Sequence, residues 1–525
     1  MKRESLLAPD YYNLVSEIEK NADAGKTALI WEDGIQRREL TYGELITEAN
    51  KIGSALIEAG LRQGDKLLIM TPRIVEAYAV YMGALKAGIV VIPSSELLRP
   101  KDLRYRITHG EVKGIICYEQ FTEQTNEVEE AQDLLKWVIR KPQPGWRSLT
   151  EEMSRQSGEL EFADTKNDST AFLSYTSGTT GNPKGVIHTH GWAYAHLRTA
   201  AANWLSIRKE DKVWATAGPG WQKWIWSPFL SVLGMGATGF IYHGKFEASH
   251  YLQLLQDQQI NVLCCTPTEY RLMAKEQDLS RFNLSSLHSA VSAGEPLNRE
   301  VIDIFRKHFG IEVRDGYGQT ENTLLVGVMK GMEIKAGSMG KPTPGNTVAI
   351  INGNGEVCKE NEVGDIAVHR STPALFKEYY KDPERTAMQF RGDYYLTGDR
   401  ARMDADGYFW FEGRSDDIII SSGYTIGPFE VEDALIKHPF VRECAVVASP
   451  DEIRGSVVKA YVVLGDGADA EDPGLVKVLQ EHVKKLTAPY KYPRKIEFVT
   501  DLPKTASGKI RRVELRQKEQ MRESV

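Results

Sequence analysis

Apolar residues in this chain fall in short blocks whose period changes along the sequence. From Tyr42 to Gly60 they recur at helical spacing, and Lys66–Met70 follows as an apolar strand. Ile74–Gly88 is helical again, and Ile89–Pro93 reads as a buried strand ending at proline. That alternation predicts an α/β layered unit with a partly parallel sheet. The pattern resumes with a strand at Thr170–Ser174 and another at Val186–His190. A helix at Trp192–Leu205 and a strand at Asn261–Cys265 come next.

From about residue 331 the texture changes. Gly337, Gly340, Pro342, Pro344, Gly345, Gly353, Gly355 and Gly364 punctuate short strands such as Val348–Ile351 and Asp365–Val368. This predicts a β-rich subdomain of roughly 80 residues. Beyond Gly413–Asp417 comes a compact α/β piece. It holds a helix (Glu430–Lys437), two strands (Glu443–Ala448, Val457–Leu464), a helix (Pro473–Leu486) and a closing strand (Lys495–Val499). The expected architecture is α/β. A large N-terminal domain (1–415) comprises α/β subdomains at about 1–170 and 171–330 and a β-rich one at 331–412. A small C-terminal α/β domain (416–525) follows.

Composition narrows the class. The 525 residues carry 65 Lys and Arg against 72 Asp and Glu, a net charge of −7, which gives no support for nucleic-acid binding. Five cysteines (Cys117, Cys264, Cys265, Cys358, Cys444) show no CxxC spacing. That argues against a disulfide framework or zinc site and fits a reducing cytoplasm. The first ten residues lack a signal-peptide core, and no apolar run approaches the ~18 residues of a membrane span. A soluble cytoplasmic protein is expected.

The chemistry is concentrated between two of the predicted strands. Tyr175–Gly185 packs three glycines, four aliphatic hydroxyls and Lys184 into eleven residues. Glycines allow close backbone approach to an anion, and hydroxyls and amides donate to phosphate oxygens. Lys184 is followed by Gly185, and a strand rather than a helix comes after, so this is not a Walker loop. Four further segments add polar groups at loops: Ser292–Pro296, Arg314–Glu321, Tyr395–Asp399 and Leu502–Ile510. Gly234-Met-Gly-Ala-Thr-Gly239 has dinucleotide-motif spacing but lies between a helix (Ser227–Leu233) and a strand, the wrong order for that motif. His188 and His190 share strand spacing without a third ligand nearby, which favours packing or hydrogen bonding over a metal.

These five motifs, in this order, resemble the adenylate-forming superfamily: acyl-CoA synthetases, luciferases and peptide-synthetase adenylation domains. The resemblance spans Leu40 to Arg512. It implies a site residue by residue. Thr176, Ser177, Gly178, Thr179, Thr180, Gly181 and Lys184 would form the phosphate loop, and Gly294, Glu295 and Pro296 the adenine-side segment. Thr320 would contact the α-phosphate and Glu321 would hold Mg²⁺. Asp399 would grip the ribose and Arg414 the nucleotide. Asp416, at the boundary read from composition, would be the hinge of a mobile C-terminal domain. Lys509 would be the catalytic lysine. The substrates implied are a carboxylic acid, ATP and coenzyme A.

Within the motif Tyr317–Glu321, acetyl-CoA synthetases carry Trp where this chain has Gly318. A deeper pocket for medium or branched chains is expected, and Gly318→Trp should shift preference toward acetate or propionate. Trp221, Trp224 and Trp226 either wall the acyl pocket or pack in the core, with Trp221 and Trp226 the candidates for substrate contact. Lys223 is expected to snorkel at the pocket mouth. Gly423 would leave room for the thiol arm of coenzyme A. Thr425 departs from the arginine common in relatives, which puts the efficiency of thiol transfer in question. Lys509 is also a candidate for an acetyltransferase acting as an off switch. Two rival readings stay open: an adenylating enzyme that loads a carrier protein, and a catalytically silent nucleotide sensor.

Overall fold

In the computed structural model, the described residues are 1–176, 183–295, 297–421, 424–451, 454–465, 467–504 and 510–523. The predicted helices near the N-terminus form where local signals start them. Thr41 and Glu44 make a reciprocal capping box, and the helix Tyr42–Glu58 follows. It packs on the buried helix Val75–Lys86. Gly83 permits this approach, since a Cβ there would lie 2.3 Å from the Ala49 carbonyl oxygen.

Two large sheets form the N-terminal part. The first orders its seven strands Arg147–Ser148, Leu135–Ile139, Val112–Tyr118, Lys66–Met70, Val90–Ser94, Thr170–Tyr175 and Gly185–Thr189. All neighbours are parallel except the last pair, a hairpin around the glycine-rich loop. The second has nine strands, six of them a parallel run: Val313–Gly318, Ser289–Ala293, Val262–Cys265, Lys212–Ala215, Thr238–Tyr242 and Thr27–Glu32. Burial on both faces goes with apolar runs such as Val262–Cys265, whereas Val313–Gly318 carries Arg314 and Asp315.

The expected division at residue 170 does not follow the sheets. Thr27–Glu32 and Arg37–Thr41 belong to the second sheet, whereas the first is completed by Thr170–Tyr175 and Gly185–Thr189. Period and propensity describe a strand's faces but not its neighbour, which is chosen by packing across the fold. A five-stranded sheet runs from Val348–Ile351 to Phe409–Arg414, close to the predicted β-rich segment.

The helix expected at Trp192–Leu205 begins earlier, at His190, and is π-helical over Leu197–Leu205. A second π segment, Ile225–Ser231, contains Pro228. Proline removes a helix hydrogen bond, and a wider turn accommodates the break.

After Arg414 the chain enters a separately cored module. A short hairpin (Ile419–Ser421, Tyr424–Ile426) precedes the helix Pro428–Ile436. A three-stranded sheet follows, made of Val441–Asp451, Gly455–Leu464 and Lys495–Phe498. The helix Leu475–Leu486 was expected; the closing helix Arg512–Glu523 was not. Among the described residues no helix is long and apolar enough to cross a membrane.

Candidate active site

The candidate residues gather where strand ends of both sheets meet the five-stranded sheet. The hairpin Thr170–Tyr175/Gly185–Thr189 presents the glycine-rich loop, closed at its neck by Thr176 N–H donating to the Lys184 carbonyl at 3.0 Å. The Thr176 hydroxyl oxygen is buried and has no partner among the described residues. Ser177, Gly178, Thr179, Thr180 and Gly181 lie outside the described residues. Lys184 is half-buried over the Tyr379 ring, its Nζ 3.4 Å from the Tyr379 hydroxyl and 4.0 Å from Glu321 Oε1. Tyr379 donates to Glu321 Oε1 at 2.9 Å. Burial pushes the Lys184 pKa down, with Glu321 opposing and Arg385 and Arg414 adding to the shift.

The strand Val313–Gly318 and the turn after it carry the next groups. Tyr317 and Gln319 both reach Asp399 Oδ2, at 2.6 and 2.7 Å, and Gln319 also donates to the Thr397 carbonyl at 2.9 Å. Asp399 pairs in register with Arg414 on the neighbouring strand. Burial works against the Arg414 charge, but Asp399 and Asp416 raise its pKa overall. His188 Nε2 lies 2.5 Å from the Thr320 carbonyl and fixes that turn. Burial pushes the His188 pKa down to about 4, so the ring is a neutral donor at neutral pH. His190 instead accepts from Leu14 N–H at 3.1 Å, so the two histidines serve different contacts.

In the segment expected to flank the adenine, Gly294 takes φ +109°, which only glycine adopts readily. Glu295 lies 3.8 Å from Arg271 and accepts from Thr268; Pro296 is outside the described residues. Asp315 is buried beside this segment, accepting from Gly316 N–H at 2.8 Å and Leu297 N–H at 3.4 Å. Burial raises its pKa to about 7.

The residues expected on the acyl side differ from expectation in two respects. Lys223 is not simply extended toward solvent: its Nζ donates to the Ala293 carbonyl at 2.6 Å, at the end of the strand before Gly294. At Gly318, a Cβ would meet the Thr323 carbonyl oxygen at 2.2 Å and the tip of Trp226 at 3.0 Å. A side chain at 318 therefore requires backbone displacement, and the bulk beside this position comes from Trp226. Trp221 is half-buried. Trp224 stacks on Phe229 and contacts Tyr78 and Tyr81, so it is core.

Asp416 lies 3.3 Å from Arg414 and 3.4 Å from Arg516. Asn298 at the start of the helix Arg299–Phe309 reaches Asp433 of the C-terminal module at 3.0 Å. Gly423 and Lys509 fall outside the described residues. The segment before Lys509 leaves at Lys504, which bridges Ile510 after it.

Sequence reasoning missed Tyr317, Gln319 and Tyr379. The first two alternate with Gly318, so period two could have placed them on one face. Tyr379 stands 58 positions from Glu321 and has no local signal.

Two sheets with loops at strand ends and a separately cored C-terminal module match the architecture of adenylate-forming enzymes. The chain matches the AMP-binding enzyme family over residues 17–380 and the AMP-binding enzyme C-terminal domain over residues 430–509. It belongs to that family, near the medium-chain acyl-CoA synthetases, and is an AMP-forming acyl-CoA ligase. It is 66% identical over 522 residues to an uncharacterized acyl–CoA ligase, YtcI, of Bacillus subtilis (strain 168), covering 99% of this chain and 98% of that one. It is 42% identical over 529 residues to the mitochondrial acyl-coenzyme A synthetase ACSM3 of Mus musculus, covering 97% and 91%. The anthranilate CoA ligase AuaEII, solved with anthranoyl-AMP, superposes with a TM-score of 0.92 at 31% identity over the full length of both chains.

Proposed function

We propose that this enzyme activates a medium-chain or branched-chain carboxylic acid as its acyl-adenylate and transfers the acyl group to coenzyme A. The reading rests on the likeness to the medium-chain acyl-CoA synthetases and on Gly318, which adds no side chain of its own beside the aromatic wall of Trp226. Each buried methylene of a longer chain contributes about 0.8 kcal/mol against such a wall.

In the first step the acid's carboxylate oxygen bonds to the α-phosphorus of ATP as pyrophosphate leaves. In the second a thiol attacks the acyl carbonyl and AMP leaves. The buried Thr176 hydroxyl, without a partner among the described residues, and the Lys184 ammonium suit the β- and γ-phosphates. Thr320, held by His188, would meet the α-phosphate, and Lys509 would bridge that phosphate and the incoming carboxylate. Asp399, oriented by Tyr317 and Gln319, would take the ribose hydroxyls, with Arg414 beside it on the nucleotide. Gly294, Glu295 and Pro296 would flank the adenine. Glu321, oriented by Tyr379 among neighbouring cations, fits Mg²⁺, which when bound offsets phosphate charge. The thiol arm would pass Gly423. Asp416 would be the pivot that lets one site serve both steps. A reducing cytoplasm goes with the five free, buried thiols. The acetylation expected at Lys509 concerns a residue outside those described.

The test is pyrophosphate release with ATP across acids of two to twelve carbons and branched isomers, with and without coenzyme A. Release peaking on medium or branched acids, with thioester formed, is expected. Activity confined to acetate overturns the chain-length reading. Release without thioester supports carrier loading, and no release with any acid supports the silent sensor.

A further inference from the structure

Both ends of the phosphate loop rest on one face of a single helix, Pro100–Gly110, which carries none of the family motifs. The Tyr105 hydroxyl donates to the Pro183 carbonyl at 3.1 Å, where the chain leaves the loop. Four residues later, His109 Nδ1 lies 2.9 Å from the hydroxyl of Tyr175, where the chain enters it. Spacing of i, i+4 places the two on one face, and their rings stack at 5.1 Å and 14°. The Arg106 guanidinium lies 5.2 Å from the centre of the Tyr175 ring. The fit is close, since a Cβ on Gly110 would sit 3.1 Å from the Tyr175 hydroxyl. Between these two anchors lies the neck closed by Thr176 and Lys184.

We propose that Tyr105 and His109 are positioning residues for ATP, fixing the separation of the loop's two ends so that its donors converge on the triphosphate. This rests on the reading of Thr176–Lys184 as the phosphate-holding loop. Neither residue touches a reacting atom. A neck set in advance lowers the ordering cost of binding. The consequence of loosening it falls on ATP and pyrophosphate, and leaves the acid and coenzyme A untouched.

The test uses full-length Tyr105→Phe, Tyr175→Phe and the double variant, which remove hydroxyls and keep the rings. ATP and pyrophosphate affinities are measured by calorimetry without acid, and KM for ATP and acid from pyrophosphate release. Each single change is expected to weaken ATP binding about five-fold, the loss of one net hydrogen bond. The double loss should be less than the product, because both bonds hold one neck. In Tyr105→Phe, kcat and the KM for acid should stay within about two-fold. Unchanged ATP affinity in the double variant overturns the proposal. So does an equal loss for ATP and acid with a lowered melting temperature, which marks general loosening. A native enzyme that binds ATP but adenylates no acid refutes the catalytic reading instead, while the affinity comparison still decides the neck.

Discussion

The segments that end at Lys184 and at Ile510 are closed at their necks in similar ways and set on different foundations. Each has a backbone contact at its neck: Thr176 with Lys184, and Lys504 with Ile510. The first is framed by Tyr105, His109, Tyr175 and Tyr379, rings packed within the N-terminal domain. The second runs into the helix Arg512–Glu523, which is fastened by charge. Arg512 pairs with Glu432 at 2.7 Å, and Glu519 takes Lys459 and Ser449, each at 2.7 Å. Arg516 holds Asp416 and Asp417 next to the proposed hinge. A loop that grips departing phosphates is best built into a stiff wall. If Lys509 serves only one of two steps, as proposed, it is better carried on a separately cored module, tied to its neighbour among the described residues by contacts such as Asn298–Asp433.

The sharpest way to separate the two regions is Lys509→Ala. Adenylation should fall by about 10³-fold, while transfer from supplied acyl-adenylate to coenzyme A stays within a few-fold. Equal loss in both steps would break the contrast. Glu321→Gln should lower adenylation by about 10²-fold, with a raised Mg²⁺ requirement measured in pyrophosphate release. Acid should act mainly on the N-terminal domain, where burial lowers the pKa values of His188 and His196 to about 4 and of His190 to about 3. The unfolded histidines protonate near 6.5, above the folded values, so stability is complete above pH 6.5 and is lost as pH falls toward 4. Melting should drop by a few degrees by pH 5 in calorimetry, because the buried Asp315, with its pKa raised to about 7, takes up a proton in the folded state and offsets part of the loss. The smallest effect is expected at Asp416, about half-exposed in its pair with Arg414. Asp416→Ala should change stability by about 0.5 kcal/mol or less, yet alter the ratio of thiol transfer to adenylation, and high salt should mimic it.

Much of the fold was legible because strand and helix periods are written locally. The capping box at Thr41 and the apolar run Lys66–Met70 are examples. Lys184 lies 4.0 Å from Glu321, and Gln319, next to Thr320, reaches Asp399. What orients them was not legible. Tyr379 reaches Glu321 across 58 positions and His188 reaches Thr320 across 132, and no local pattern encodes such pairings. The obstacle at Gly318 was hidden likewise, because it is the Thr323 carbonyl, a backbone group that any residue would supply.

The crossing of the chain between its two great sheets has a consequence for how the molecule is made. Thr238 bonds back to Thr27 over 211 positions, so one of the earliest strands to leave the ribosome has no neighbour on its inner side until nearly half the chain has followed. Its apolar face must wait, shielded by chaperone or by provisional collapse. A break at residue 170 would strand Thr27–Glu32 in one fragment and its parallel neighbour in the other. The two pieces should regain activity only when refolded together, as interlocked halves rather than as separable domains.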